Sequence, residues 1–340
     1  MNQALLNQKV PMTAVEDVMS DLQSLVSQDM KQVNTLILDQ MMSEIPLIPQ
    51  LAAHLIMAGG KRIRPLLTLA GGKLCGYEGP SLVKLAAAIE FIHNATLLHD
   101  DVVDMSDLRR GQSTANALWG NQASVLVGDF LFARAFQLMV FVGNLDALAV
   151  LSKTSATISE GEVFQLSLGS TFDVTHDDYY KIIQSKTGAL FEASCQMGAI
   201  LGNATPAQRQ STIDYGHYLG IVFQIIDDVL DYTADEKTLG KKVGGDFKER
   251  KLTLPIMVAY EKGAADERAF WERTIVQGEQ READFNQAVA YLHKAQAIDF
   301  CVQRALTAAQ KAKESLSVFA NSPTKEILLN LVDYCISRQR

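Results

Sequence analysis

Two acidic pentads, Asp100-Asp101-Val102-Val103-Asp104 and Asp227-Asp228-Val229-Leu230-Asp231, hold the residues in this chain best suited to chemistry. Residues four apart share a helix face, so Asp100 points with Asp104, and Asp227 with Asp231. Apolar runs lead into both: Ala95-Thr96-Leu97-Leu98 before the first and Phe223-Gln224-Ile225-Ile226 before the second. Carboxylates bunched in such surroundings repel one another and lose hydration, a cost that cations offset. Neither pentad contains His or Cys, and an oxygen-only ligand set suits a hard ion, Mg2+ before others. An ion with open positions between two acidic walls can take a third anion, and a phosphate-bearing substrate is the natural one. One pentad alone reads equally well as an acidic turn of helix. Two copies favour the metal.

Basic groups supply the complement. Lys61 and Arg64 are three apart and can converge, and the preceding Gly59-Gly60 lets backbone approach a phosphate closely. Arg109-Arg110-Gly111 follows shortly after the first pentad, and guanidinium forks suit bidentate phosphate contacts. In isolation that pair is a solvated loop; beside Asp100–Asp104 the functional reading is favoured. Lys186-Thr187-Gly188 and Lys241, taken alone, read as surface positions. His93 lies two helical turns before Asp100, where it can donate into the site or simply belong to the core. Gln224, three before Asp227, is open in the same way, and His99 flanks the acidic stretch. No Ser or Cys nucleophile constellation, P-loop or dinucleotide fingerprint is present.

The elements that must position these groups are helices. Apolar residues recur at helical period almost throughout, strand-like alternation is absent, and aromatics are only 7% of 340 residues. The pattern predicts helices near 17–43, 48–58, 64–75, 80–104, 121–143, 145–168, 176–201, 206–234, 253–262, 264–277, 281–316 and 323–337, several begun by Pro65, Pro80, Pro206 and Pro323. Segment 232–252 is the longest polar interruption and directly follows the second pentad, the place for a flexible lid. No linker divides the chain, so a single all-α domain over 1–340 is expected, with no role for an N-terminal extension at 1–20. A net charge of −8 gives no basic character for nucleic acid. Cys75, Cys195, Cys301 and Cys335 form no CxxC pair and read as buried free thiols of a reducing compartment. The N-terminus lacks a secretory signal pattern, and no run approaches about 18 uninterrupted apolar residues, so a cytoplasmic protein without a transmembrane segment is expected.

In one order along the chain stand Gly59-Gly60-Lys61-Arg62-Ile63-Arg64-Pro65, Leu97-Leu98-His99 with the first pentad, Arg109-Arg110-Gly111, Gly128-Asp129-Phe130-Leu131, Lys186-Thr187, Phe223-Gln224-Ile225-Ile226 with the second pentad, and Gly240-Lys241. Together they closely resemble the trans-polyprenyl diphosphate synthases. Residues 91–98 and Lys251-Leu252-Thr253-Leu254-Pro255 look most like the octaprenyl or solanesyl branch, which makes quinone side chains.

The resemblance implies an isoprenoid-synthase-type bundle of antiparallel helices around a central cavity, assembled as a homodimer. It implies Mg2+-dependent head-to-tail condensation of isopentenyl diphosphate onto an allylic diphosphate primer such as farnesyl diphosphate, with transient membrane contact compatible with product release. By motif match Asp100, Asp104 and Asp227 would ligate Mg2+, with Asp101, Asp228 and Asp231 as supporting carboxylates. Arg109, Lys186, Thr187, Gln224 and Lys241 would bind the allylic diphosphate; Lys61, Arg64, His93 and Arg110 would hold isopentenyl diphosphate. The chemistry of the residues agrees: ionising an allylic C–O bond needs a neutralised leaving group, and the carbocation must be kept from water by nucleophile-poor walls.

Within that resemblance the growing chain runs away from the pentad, and Ala95 and Thr96 lie about 6–8 Å along the helix from Asp100. Short-chain members carry bulky aromatics there, so two small residues leave the tunnel open. Phe132, Phe136 and Met139 are candidates for its floor, or plain core residues. A product of about C40–C45 is expected. The alternatives are a shorter-chain synthase making geranylgeranyl or farnesyl diphosphate, a terpene cyclase or head-to-head synthase, and a non-catalytic subunit of a heteromeric synthase. Cyclases and head-to-head enzymes do not generally pair the Gly-Gly-Lys-Arg segment with two full pentads, and non-catalytic subunits have eroded ones.

Overall fold

Helix α5 (Ser81–Val103) is apolar nearly all round from Leu82 to Ile92, with Ala86-Ala87-Ala88 at its middle, so neighbours can pack on several sides of it at once. They do: α2 (Ser27–Gln40), α4 (Ile63–Leu74), α7 (Asn121–Val142) and α10 (Ala189–Leu201) all contact it. The structure, a computed structural model, describes residues 12–57, 59–109, 111–234 and 243–337. Before the spine come α1 (Met12–Leu25), α2, α3 (Leu47–Met57) and α4. After it come the short α6 (Ala115–Trp119), α7, α8 (Leu145–Leu168), α9 (His176–Ile183), α10 and α11 (Pro206–Thr233). The C-terminal part holds α12 (Gly245–Lys248), α13 (Leu254–Lys262), α14 (Ala265–Trp271), α15 (Asp284–Lys294), α16 (Ala297–Ser315) and α17 (Pro323–Ser337).

Local sequence explains the starts. Thr205 and Gln208 form a reciprocal capping box, and Pro206 takes the first helical position of α11. Thr175 and Asp178 do the same for α9. Where α10 meets α4 and α11, glycines let the backbones close in. A Cβ on Gly71 would lie 2.8 Å from the Cys195 carbonyl oxygen, and one on Gly220 only 2.7 Å from Gly188 Cα. The inner face of α11, with Tyr215, Leu219, Val222, Ile225, Ile226 and Val229, is buried, and each such side chain contributes about 1.5–3 kcal/mol.

Several boundaries differ from the sequence expectation. The helix expected at 17–43 divides at Val26, and the one expected at 281–316 divides before Ala297, where Gln296 has a left-handed φ of 54°. Between α9 and α10 the helix passes through a π turn, Gln184–Gly188. A two-residue antiparallel pair, Leu108–Arg109 with Gln112–Ser113, turns on Gly111 at φ 76°. Two-residue strands are too short for any alternation to announce them. Segment 232–252 is not one loop, since helix continues to Thr233 and resumes as α12; residues 235–242 lie outside the described part.

No uninterrupted apolar run marks a membrane span, yet α5 and α7 are long and apolar enough for one by length and composition. In α5 that stretch is 67% buried, as befits a core helix. In α7 only 33% is buried, and Leu126, Val140 and Phe141 stand exposed. None of the four cysteines is in a disulfide; Cys195, Cys301 and Cys335 are buried as expected and Cys75 is half-buried. Burial pushes the Cys75 thiol up to about 11 and Cys195 and Cys301 also upward, which keeps those three protonated.

Candidate active site

The first pentad closes α5, and its three carboxylates meet different fates. Asp101 turns into the protein, 3% exposed, where Arg109 donates to one of its oxygens from Nε at 2.9 Å and Nη2 at 2.7 Å. Asn116 donates to the Asp101 carbonyl at 3.2 Å and so ties the helix end to α6. Asp104 accepts from Lys251 Nζ at 2.9 Å. Asp100 has its carboxyl pushed up to about 7, first by burial and then by Glu162 and Asp104, against the pull of Lys186 and Arg109.

The second pentad ends α11 with a similar division. Asp228 is buried and accepts from the Tyr179 hydroxyl at 2.6 Å and from Gln224 Nε2 at 2.8 Å. Burial still lifts its carboxyl to about 7, with Asp227 and Asp231 adding to the lift and both hydrogen bonds opposing it. Asp231 accepts the backbone N–H groups of Gly245 at 3.2 Å and Asp246 at 2.8 Å, so its carboxylate caps α12. Asp227 is half-buried.

Two bridges bring the pentads together. On one side the Lys251 backbone N–H donates to the Asp246 carbonyl at 2.8 Å, Asp246 N–H is held by Asp231, and Lys251 Nζ reaches Asp104. On the other, the π turn carries Lys186 and Thr187 as neighbours. Lys186 pairs with Glu162 at 2.8 Å, donates to Gln165 at 2.6 Å and bears on the charge of Asp100. Thr187 Oγ1 donates to Gln224 Oε1 at 2.8 Å, and Gln224 passes the chain on to Asp228. A π turn adds one residue to the helix, and such bulges gather at functional sites.

Lys61 and Arg64 do not share a helix face as their spacing suggested. Lys61 donates to the Tyr334 hydroxyl on α17 and stands 5.0 Å over that ring, whereas Arg64 meets His93 Nε2 at 3.1 Å and stacks 5.0 Å over Phe191. The reason is backbone: Arg62 takes a left-handed φ of 47°, so Lys61 precedes the helix and does not share its face. Arg110 and Lys241 lie outside the described residues. Ala95 is fully buried, while Thr96 is half-buried and donates to the His93 carbonyl at 2.8 Å. On α7, Met139 is buried, Phe132 is half-buried with its ring 6.3 Å from that of His99, and Phe136 is 39% exposed.

A model of the polyprenyl synthetase family matches residues 45–292, the span that holds both pentads and both bridges. This chain belongs to that family. The synthase is 44% identical over 319 residues to octaprenyl diphosphate synthase of Escherichia coli K12, covering 94% of this chain and 98% of the relative. Among solved structures it is similar to a polyprenyl synthase from Caulobacter crescentus CB15 complexed with calcium and isoprenyl diphosphate. That match has 46% identity, a TM-score of 0.92, and covers 95% of this chain and 98% of the other. A decaprenyl diphosphate synthase from Rhodobacter capsulatus matches with 47% identity, a TM-score of 0.90, and covers 95% and 99%. The synthase is a prenyltransferase.

Five residues of the synthase's site escaped sequence reading: Glu162, Gln165, Tyr179, Asp246 and Lys251. Asp246, withdrawn from water and crowded by Asp231 and Asp228, has its carboxyl held well above the usual range. Burial works against the charge of Lys251, but Asp104 and Glu249, the latter 2.6 Å away, more than offset it and hold its pKa above the ordinary lysine value. Lys251 was visible only as part of a segment typical of one branch, and no period links it to Asp104, 147 residues away.

The donor set fits a hard divalent cation. Asp100, Asp228 and Asp246 all have raised proton affinities, so negative charge here is under-compensated. Among the described residues no three acidic, His or Cys groups form a closed cage.

Proposed function

We propose that the synthase makes a long all-trans polyprenyl diphosphate of about C40–C45. It adds isopentenyl diphosphate head-to-tail to an allylic primer, farnesyl diphosphate foremost, and the product serves as a quinone side chain. The observation that carries this reading is the double bridge: Lys251 between Asp104 and Asp246 on one side, Thr187–Gln224–Asp228 on the other. It supports two acidic walls facing one diphosphate. The named relatives, an octaprenyl and a decaprenyl synthase, support a long product. So do the small side chains of Ala95 and Thr96 in the turns before Asp100.

In this reading Asp100, Asp104 and Asp227 hold Mg2+, which when bound neutralises the departing diphosphate. Asp101, Asp228 and Asp231 are already engaged by Arg109, by Tyr179 and Gln224, and by the α12 backbone. They orient the ligating carboxylates. Lys186, Thr187, Gln224, Arg109 and Lys241 receive the allylic diphosphate, with Lys251 beside Asp104 as a further cation. Arg64 and His93, already in contact, hold isopentenyl diphosphate together with Lys61 and Arg110. Apolar walls keep the carbocation from water, and the departing diphosphate takes the proton released when the new double bond forms.

The exposed apolar side of α7 supports a homodimer in which a second copy covers Leu126, Val140 and Phe141, and the enzyme works in the cytoplasm. The direct test is to incubate purified protein with farnesyl and isopentenyl diphosphates and Mg2+ and weigh the product. An octaprenyl or nonaprenyl diphosphate is expected. A product no longer than geranylgeranyl diphosphate, or none, overturns the proposal.

A further inference from the structure

The His54 side chain sits in the last turns of α3, five residues before the Gly59-Gly60-Lys61 segment, and its Nε2 lies 2.8 Å from the carbonyl oxygen of Ser113. A carbonyl only accepts, so Nε2 carries the proton and donates. The Trp119 ring packs edge-on against the imidazole, centroids 5.2 Å apart at 74°, which fixes its plane. Ser113 pairs with Leu108 across the small hairpin that turns on Gly111.

That hairpin has two separate anchors. Its outgoing strand is tied to α5, because Arg109 grips Asp101. Its base is closed by Thr114, whose N–H donates to the Asp107 carbonyl at 3.0 Å and whose hydroxyl donates to the Ser106 carbonyl at 2.7 Å. The returning strand, Gln112–Ser113, meets α3 through His54. A two-residue ladder has almost no stability of its own, so such side contacts decide where it stands.

We infer that His54 is a positioning residue for the isopentenyl diphosphate subsite: by gripping Ser113 it sets the hairpin against the chain segment that leads through Gly59-Gly60 into Lys61 and Arg64. The inference rests on the assignment of Lys61, Arg64 and His93 to that substrate. The Arg109 side of the hairpin has its own anchor on Asp101, so loss of the His54 bond loosens the contact with α3, the helix that leads toward Lys61 and Arg64, and leaves the allylic side in place.

His54→Phe keeps a ring against Trp119 and removes the donor; His54→Gln restores an amide donor of similar reach. With the full-length enzyme, His54→Phe is expected to raise KM for isopentenyl diphosphate about fivefold, the change carried by one neutral hydrogen bond. KM for farnesyl diphosphate and kcat should move less than about twofold, and His54→Gln should recover most of the loss. Thermal unfolding of each variant separates positioning from loss of fold. Unchanged KM for isopentenyl diphosphate, or equal rises for both substrates, overturns the inference. Arg64→Ala is the control: if it leaves that KM untouched, the substrate assignment itself falls and the role of His54 with it.

Discussion

Lys251 Nζ lies 2.9 Å from Asp104 Oδ2, while the backbone N–H of the same lysine is bound to Asp246, the residue that Asp231 holds. One residue therefore fastens the end of the first pentad to the end of the second. In the proposed reading its charge also serves the diphosphate held between them. Lys251→Ala should lower kcat roughly a hundredfold or more, the loss usual when one donor to a developing anion is removed. Steady-state kinetics at saturating substrates checks this, and a kcat near that of the parent enzyme would rule it out.

Two carboxylates, one from each pentad, should behave oppositely when removed. Asp100 is pressed by burial and by Glu162, so Asp100→Ala should abolish turnover while stability holds or rises. Asp231 satisfies two backbone N–H groups of α12, so Asp231→Ala should cost about 2–3 kcal/mol as well as activity. Urea unfolding of the two variants, run side by side, distinguishes them. Equal destabilisation would count against the division of roles.

Arg109 and Asp101 form a close pair with the carboxylate almost fully buried. Arg109→Ala strands that charge and should cost about 2 kcal/mol. Adding Asp101→Asn to the same protein should return part of the loss, because the orphaned charge is gone. A double-mutant cycle on unfolding free energies measures the coupling, and simple additivity would contradict the pairing.

Product length should respond to Thr96, which is half-buried one turn before Asp100. Thr96→Phe should truncate the product to short chains while the enzyme stays active. Ala95 is fully buried, so Ala95→Phe should also lose about 1–3 kcal/mol to overpacking. Mass analysis of products decides it: full-length product from both variants means the growing chain does not pass these positions.

Away from the site, Arg273 grips Asp284 with both Nη atoms, at 2.8 and 2.9 Å, and holds that carboxyl below its usual range. A depressed carboxylate pKa contributes stability that is present above the unfolded value near 3.9 and is lost as pH falls through the lower folded value. Asp284→Asn should therefore cost about 2 kcal/mol at pH 7, and the difference from the parent should shrink toward zero at an acid pH below the lowered folded value. Unfolding midpoints measured at both pH values test the sign.

Much of the site was legible because its signals are local. A spacing of four places Asp100 with Asp104 on any helix, and the apolar runs before both pentads announce that those helices enter the core. Capping residues such as Thr205 and Pro206 mark a helix start within one turn of chain. Lys61 shows the limit of such reasoning. Its three-residue offset from Arg64 implied a shared face, but the left-handed Arg62 between them breaks the helix, and Lys61 reaches Tyr334 instead.

By itself, then, the sequence determined the helical texture, the two carboxylate clusters and the family to which the chain belongs, since each depends on residues within a few turns of one another. Only the tertiary structure decided what the buried carboxylates meet. Arg109 claims Asp101, Tyr179 claims Asp228, and the α12 backbone claims Asp231. The same holds for Lys251, the π turn and the split at Gln296. Contacts across many tens of residues follow from how helices pack, and packing depends on the summed shape of side chains from several elements at once. No periodicity within one segment encodes that sum.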